Sequence, residues 1–124
     1  MPKPEIEWYV WKEKDQKSPL TVFLTELENG ILIIISDTRA RIGTVAIGIS
    51  SQLVESRTNT SSIPIVFGIR NELLARAIAE RVAHQCQKIV IASVYLKDES
   101  SELAQRALQS AEESIREYLK NKTF

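Results

Sequence analysis

The pair Asn29-Gly30 stands between two β-rich runs, residues 20–28 and 31–35, and this arrangement predicts an antiparallel hairpin. Favoured two-residue hairpin turns need positive φ at their central positions, which asparagine and glycine tolerate best. The second run, Ile31-Leu32-Ile33-Ile34-Ile35, is apolar at every position. A strand of that kind is usually buried on both sides. The hairpin therefore predicts a sheet that needs cover on two faces.

The remaining elements follow from periodicity. Residues 6–12 contain Trp8, Tyr9, Val10 and Trp11 and read as a strand. A charged turn ending at Pro19 separates it from the hairpin. Val45, Ile47 and Ile49 alternate within residues 44–49, as in a strand with one apolar face. The stretch 50–62 is polar and reads as a loop, and residues 63–67 read as a short strand that Pro64 confines to an edge or a strand start.

The period then changes. Leu74, Ile78, Val82 and Cys86 recur every fourth residue, with Ala75, Ala79 and Ala83 beside them, so residues 70–85 are expected to form an amphipathic helix capped near Asn71. Residues 88–96 read as a buried strand. Asp98 is the expected cap of a last helix over residues 99–121, with Ala104, Leu108, Ala111, Ile115 and Tyr118 as its stripe. The pairs Glu102–Arg106 and Glu112–Arg116 support that helix. The order is β-β-β-β-β-α-β-α. It predicts one α+β domain over residues 1–124, an antiparallel β-sheet of about six strands with two helices on one face.

Two helices about 10 Å across cover one face of a sheet roughly 25–30 Å wide, and no more. The apolar runs 31–35 and 89–94 ask for more, so a second subunit packed sheet on sheet is expected. The competing reading folds loop 50–62 and the N-terminal aromatics over the second face. Candidate interface residues are Trp8, Trp11, Ile33, Ile35 and Phe67. Trp8 and Trp11 lie three apart on a strand and are expected on opposite faces. One suits the core or a subunit interface; the other suits a partner, because tryptophan dominates binding hot spots.

Charge narrows the classes of function. Acidic and basic residues number 16 each among 124 residues. A nucleic-acid binder carries a basic stripe and a membrane-surface protein a basic amphipathic face; neither is present. The longest apolar run is too short to span a bilayer. The N-terminal residues lack the apolar core of a signal peptide, and Cys86 is the lone cysteine, so a reducing, cytoplasmic setting is expected. The sequons at Asn59 and Asn121 are then chance matches.

The search for chemistry finds little. His84 is the single histidine and lies two residues before Cys86, a spacing that separates the two on a helix. His84 suits the end of a helix dipole, and Cys86 suits the core. The four glycines form neither a phosphate loop nor a dinucleotide fingerprint, and no zinc-ligand set is visible. Asp37, Arg39 and Arg41 are an anion-site candidate set against a solvated loop of mixed charge. No enzymatic activity and no cofactor are expected.

A resemblance covers residues 20–124. Ser62-Ile63-Pro64-Ile65, the helix core Leu74-Ala75-Arg76-Ala77-Ile78-Ala79, the strand Lys88-Ile89-Val90-Ile91-Ala92-Ser93, and Ile115-Arg116-Glu117 before the tail Lys122-Thr123-Phe124 resemble the proteasome assembly chaperones of the third and fourth type. The resemblance implies an antiparallel sheet flanked by helices. It implies pairing with an identical chain or a related chaperone. It also implies binding to α-type subunits of the 20S proteasome during ring assembly. The aromatic stretch 8–11 has no counterpart in that pattern, and the turn between Phe67 and Asn71 is shorter. Two other classes compete: a dimerisation or scaffold module of roadblock-like or longin-like type, and a small enzyme or ligand-binding domain. The latter would use an intersubunit pocket built from Asp37, Arg39, Arg41 and His84.

Overall fold

A computed structural model describes residues 6–50, 61–65 and 71–122, the stretch 61–65 by its backbone. The elements run β1 (Tyr9–Lys12), β2 (Thr21–Leu27), β3 (Gly30–Ser36), β4 (Thr44–Ile49), β5 (Ser61–Ile65), α1 (Glu72–Cys86), β6 (Ile89–Tyr95) and α2 (Ser101–Lys122). They make the expected α+β fold, with six strands in the spatial order β1-β2-β3-β6-β4-β5 and both helices on one face.

The sheet is mixed, which corrects the expectation of a purely antiparallel one. β3 and β6 are parallel, in register from Gly30↔Ile89 to Ser36↔Tyr95; all other neighbours are antiparallel. The cause is the route of the chain. β5 and β6 both run antiparallel to β4, so they are parallel to each other and need a crossover, which α1 provides. β6 then enters between β3 and β4. It is an interior strand, with Val90, Ala92 and Val94 buried on one face, while Ile89 and Ile91 on the other remain partly exposed.

The hairpin forms, but its turn differs from the expected one. The last pair is Leu27↔Gly30, so the two turn residues are Glu28 and Asn29. Neither has positive φ; among the described residues other than glycine only Asp15, Asn71 and Gln87 do. A turn of ordinary hand favours glycine at its fourth position, where Gly30 stands. Gly30 has a second reason to be glycine: a Cβ there would lie 2.7 Å from the Ile89 carbonyl oxygen of the neighbouring strand.

The helix boundaries follow their caps. Asn71 is the N-cap of α1 in a left-handed conformation, without a side-chain capping bond. Gln87 ends α1, also left-handed, its N–H returning to the Ala83 carbonyl at 2.8 Å. α2 is capped by Ser100 rather than Asp98: its hydroxyl accepts the Leu103 N–H at 3.1 Å. The buried centre of α2 is Ala107, Ser110, Ala111, Ser114 and Ile115, of which only Ala111 and Ile115 belong to the expected stripe. Ser114 is buried at little cost because its hydroxyl donates to the Ala111 carbonyl within its own helix, at 2.9 Å.

The pleat sorts the strands into two faces. Val22, Leu24, Ile31, Ile33, Ile35, Ala46, Val90, Ala92 and Val94 are buried, and registers place them together beneath Ala75, Ile78, Ala79, Val82, Ala107, Ala111 and Ile115 of the helices. On β4 the helix side carries only Thr44, Ala46 and Gly48, because α1 approaches so closely there that a Cβ on Gly48 would lie 2.2 Å from the Ala79 carbonyl oxygen. The large residues Val45, Ile47 and Ile49 therefore point to the opposite face and are only half-buried.

Because β6 separates β3 from β4, residues 37–43 must cross the end of β6. Their backbone is tied down there. Asp37 N–H donates to the Tyr95 carbonyl at 3.3 Å, and Gly43 N–H to the Ser93 hydroxyl at 2.9 Å. Among the described residues, no helix is long and apolar enough to cross a membrane.

Candidate protein-interaction surface

The face away from the helices carries a contiguous set of partly exposed apolar side chains. Registers set Val10 beside Phe23, Phe23 beside Ile34, Leu32 beside Ile91, and Ile91 beside Ile47. These side chains alternate with the buried core set, as a pleated strand requires. Phe23, Leu32, Ile34, Val45, Ile47 and Ile49 are half-buried. Ile91, on the interior strand β6, is 41% exposed, and Val10 is 54% exposed. No charged side chain interrupts the patch from Phe23 across to Ile47. Thr25 and Ser93, polar residues on this face, are buried and bonded to the Glu7 carbonyl and the Gly43 N–H.

The structure redistributes the residues chosen from sequence. Ile33 and Ile35 are fully buried on the helix side, so β3 presents Leu32 and Ile34 to the open face in their place. The two sets differ by one step of the pleat. In an all-apolar run nothing in the pattern says which set faces the helices, so only the register resolves it. Trp11 faces the helices; its indole N–H donates to Glu117 on α2 at 3.0 Å. Trp8, one residue before β1, is 48% exposed. Phe67 and most of loop 50–62 lie outside the described residues.

The polar candidates do not converge. The Asp37 carboxylate accepts the Lys97 N–H at 2.8 Å, and Arg41 donates to the Tyr95 hydroxyl at 3.0 Å with its guanidinium over the same ring. Asp37 and Arg41 thus fasten the crossing loop to the end of β6. His84 lies on α1, in a shallow cleft lined by Glu80, Arg81, Gln85 and Glu112. That cleft includes none of the three loop residues. Cys86 is half-buried, and burial pushes its thiol pKa up, opposite to what a reactive thiolate needs. Among the described residues no group of three or more His, Cys, Asp or Glu could hold a metal ion.

Two ionic networks join distant parts of the chain, and neither was visible in the sequence. Glu13 receives a two-pronged bond from Arg106 of α2, at 2.6 and 3.1 Å, and the Leu20 N–H at 2.9 Å. Burial alone would raise the Glu13 pKa, but these contacts hold it below the usual carboxylate range. Glu26, at the other end of the sheet, accepts from Lys122 and from Tyr118, each at 2.7 Å, and from Lys88. The Lys122 and Lys88 bonds pull its pKa down to about 2, while burial and Glu26 push Tyr118 up to about 12.

The Glu26 network carries a prediction. A carboxylate whose folded pKa lies below its usual 4.5 stabilises the protein above pH 4.5, and this contribution fades as pH falls through about 2. Lys122 is half exposed, so solvent screens part of the attraction. Glu26→Gln is expected to cost about 1–2 kcal/mol at pH 7 by urea denaturation. The two proteins should converge near pH 2. A difference that persists unchanged at pH 2 would assign the effect to packing.

Comparison with known proteins bears on the fold. No protein-family model and no curated protein sequence matches this chain. Among solved structures, it is similar to a chain in the crystal structure of a novel chaperone complex for yeast 20S proteasome assembly. The TM-score is 0.60 and the identity 13%, and the superposition covers 93% of each chain. At that identity the likeness is one of fold.

Proposed function

We propose that this protein is a non-enzymatic assembly chaperone for the 20S proteasome core particle. In this reading it binds α-type subunits during ring assembly, in the cytoplasm. It acts as a dimer, with an identical chain or with a related chaperone. The observation that carries the reading is the end-to-end likeness of fold to a chain of the yeast chaperone complex, 93% of each chain being covered. That breadth agrees with the motif resemblance, which extends over most of the same residues.

The open sheet face supports the dimer. An exposed apolar patch of several hundred Å² generally marks a contact surface in a protein of this size. Six strands at about 4.8 Å spacing offer roughly the area that one side of a standard interface buries, about 800 Å². Sheet-on-sheet packing would place Leu32, Ile34, Ile47 and Ile91 in an interior like that of a β-sandwich.

Affinity capture with tagged protein from the host lysate tests the partner. The expected result is recovery of proteasome α-type subunits without mature β subunits. Absence of any proteasome subunit across several salt concentrations would end the chaperone reading and leave a dimerisation module.

A further inference from the structure

The aromatic stretch 8–11 has no place in the reading above, and its surroundings are specific. Glu7, Tyr9, Trp11 and Glu13 alternate along one side of β1 and its flanks, turned toward α2. Tyr9 packs on Tyr118 with ring centroids 5.6 Å apart. With Trp8, these are four of the five tryptophans and tyrosines in the chain, gathered on one edge of the sheet. Two clefts flank this cluster. One, of about 230 Å³, is lined by Trp11, Glu13, Lys14, Glu113 and Glu117. The other, of about 330 Å³, is lined by Glu7, Trp8, Tyr9, Glu26 and Tyr118.

The carboxylates divide into two groups. Glu13 and Glu26 are neutralised within the protein, by Arg106 and by Lys88 and Lys122. Glu7, Glu113 and Glu117 have no cationic partner among the described residues. Each cleft thus joins aromatic walls to a net negative charge, the first because Glu113 and Glu117 outnumber Lys14, and this combination receives a guanidinium or ammonium group. The backbone beside them is also available. β1 is the outermost strand, and among the described residues it pairs only with β2, so its other edge offers backbone groups to a further strand.

We propose that the β1 edge binds an extended, basic segment of a protein partner. The segment adds as a strand beside β1, and alternate basic side chains, about 6.8 Å apart on one face, enter the two clefts. The backbone supplies affinity, and the carboxylates and aromatic rings select arginine or lysine. The occupant is a basic peptide rather than a second copy of this chain, whose own β1 would bring a second Glu7, equally without a cationic partner, to a site that is already negative. This site lies at the sheet edge, not on the open face, and it does not rest on the proteasome reading; either can fail without the other.

Both tryptophans lie at the site, so their fluorescence reports on it directly. The probe is a capped heptapeptide of alternating threonine and arginine, titrated into the full-length protein at low salt. A saturable change in fluorescence is expected, weakening as salt is added. The same peptide with glutamate for arginine should give none, and a version with proline for threonine, which cannot pair as a strand, should bind at least tenfold more weakly. The double substitution Glu7→Gln and Glu113→Gln removes one uncompensated charge from each cleft without emptying either, and should weaken binding at least tenfold. No saturable response up to millimolar peptide, an equal response to the glutamate peptide, or unchanged binding by the double variant would each overturn the proposal. Equal binding of the proline peptide would overturn the strand addition.

Discussion

Ile91→Lys is expected to halve the mass of the protein in solution while leaving its far-UV circular dichroism unchanged. Ile91 projects from an interior strand onto the open face, bordered by Leu32 on β3 and Ile47 on β4. In a sheet-on-sheet dimer that position is desolvated, and a lysine there has no carboxylate within the apolar patch to pair with. An uncompensated buried charge costs about 3–5 kcal/mol. A two-fold interface counts the substitution twice, so pairing should weaken at least ~100-fold. In the isolated subunit the same side chain extends into water from a half-open surface, so the fold should survive. Leu73→Lys is the matched control: Leu73 is exposed at the start of α1, on the other side of the sheet, and its substitution should leave the mass unchanged. Sedimentation equilibrium across micromolar concentrations decides the matter. Wild-type protein that sediments only as a monomer, or an unaltered mass for Ile91→Lys, would remove the sheet-on-sheet homodimer from the functional reading and leave only pairing with a related chaperone.

The reason this surface was only half legible in the sequence lies in the packing of β4. The alternation of Val45, Ile47 and Ile49 correctly announces a strand with one apolar face, and ordinary experience assigns such a face to the core. Here the core side of that strand is Thr44, Ala46 and Gly48, because α1 lies so close that larger residues have no room. The pattern shows that two faces differ but not which one the helices choose. The same ambiguity affects residues 31–35, where an unbroken apolar run hides the choice between Ile33 with Ile35 and Leu32 with Ile34.

Long-range pairing was illegible for a different reason. Local propensity predicts that residues 89–95 form a strand, but nothing local says that the strand enters between β3 and β4 and makes the sheet mixed. Caps lie at an intermediate scale. Asp98 and Ser100 both suit an N-cap, and the hydrogen bond from Leu103 selects Ser100. The aromatic residues 8–11 were legible as unusual. Their pairing with the carboxylates of α2 was not, since Trp11 and Glu117 are separated by 106 positions in the chain.

A large loss of stability is expected from one of the smallest substitutions, Gly48→Ala. A methyl group at residue 48 would lie 2.2 Å from the Ala79 carbonyl oxygen, 2.5 Å from the Ala79 carbonyl carbon and 3.1 Å from the Glu80 nitrogen. All three atoms belong to the backbone of α1, so no side-chain rotation relieves the overlap. The helix must lift from β4, and Ala75, Ile78, Ala79 and Val82 lose contact with the core as it does. Overpacking a core costs about 1–3 kcal/mol where side chains can adjust; with a rigid backbone as the obstacle, the expected loss is about 3 kcal/mol or more by urea denaturation. The source of the clash makes a second, sharper demand. Ala79→Gly removes the side chain of the clashing residue but leaves the offending carbonyl in place, so it should not rescue Gly48→Ala. A loss below about 1 kcal/mol, or rescue by Ala79→Gly, would show that α1 rests on β4 less tightly than these distances require. The close approach has a consequence beyond stability. With room for nothing larger than a hydrogen on its helix side at residue 48, β4 can carry its bulk only on the other side, and the open apolar face follows from how closely the helix is seated.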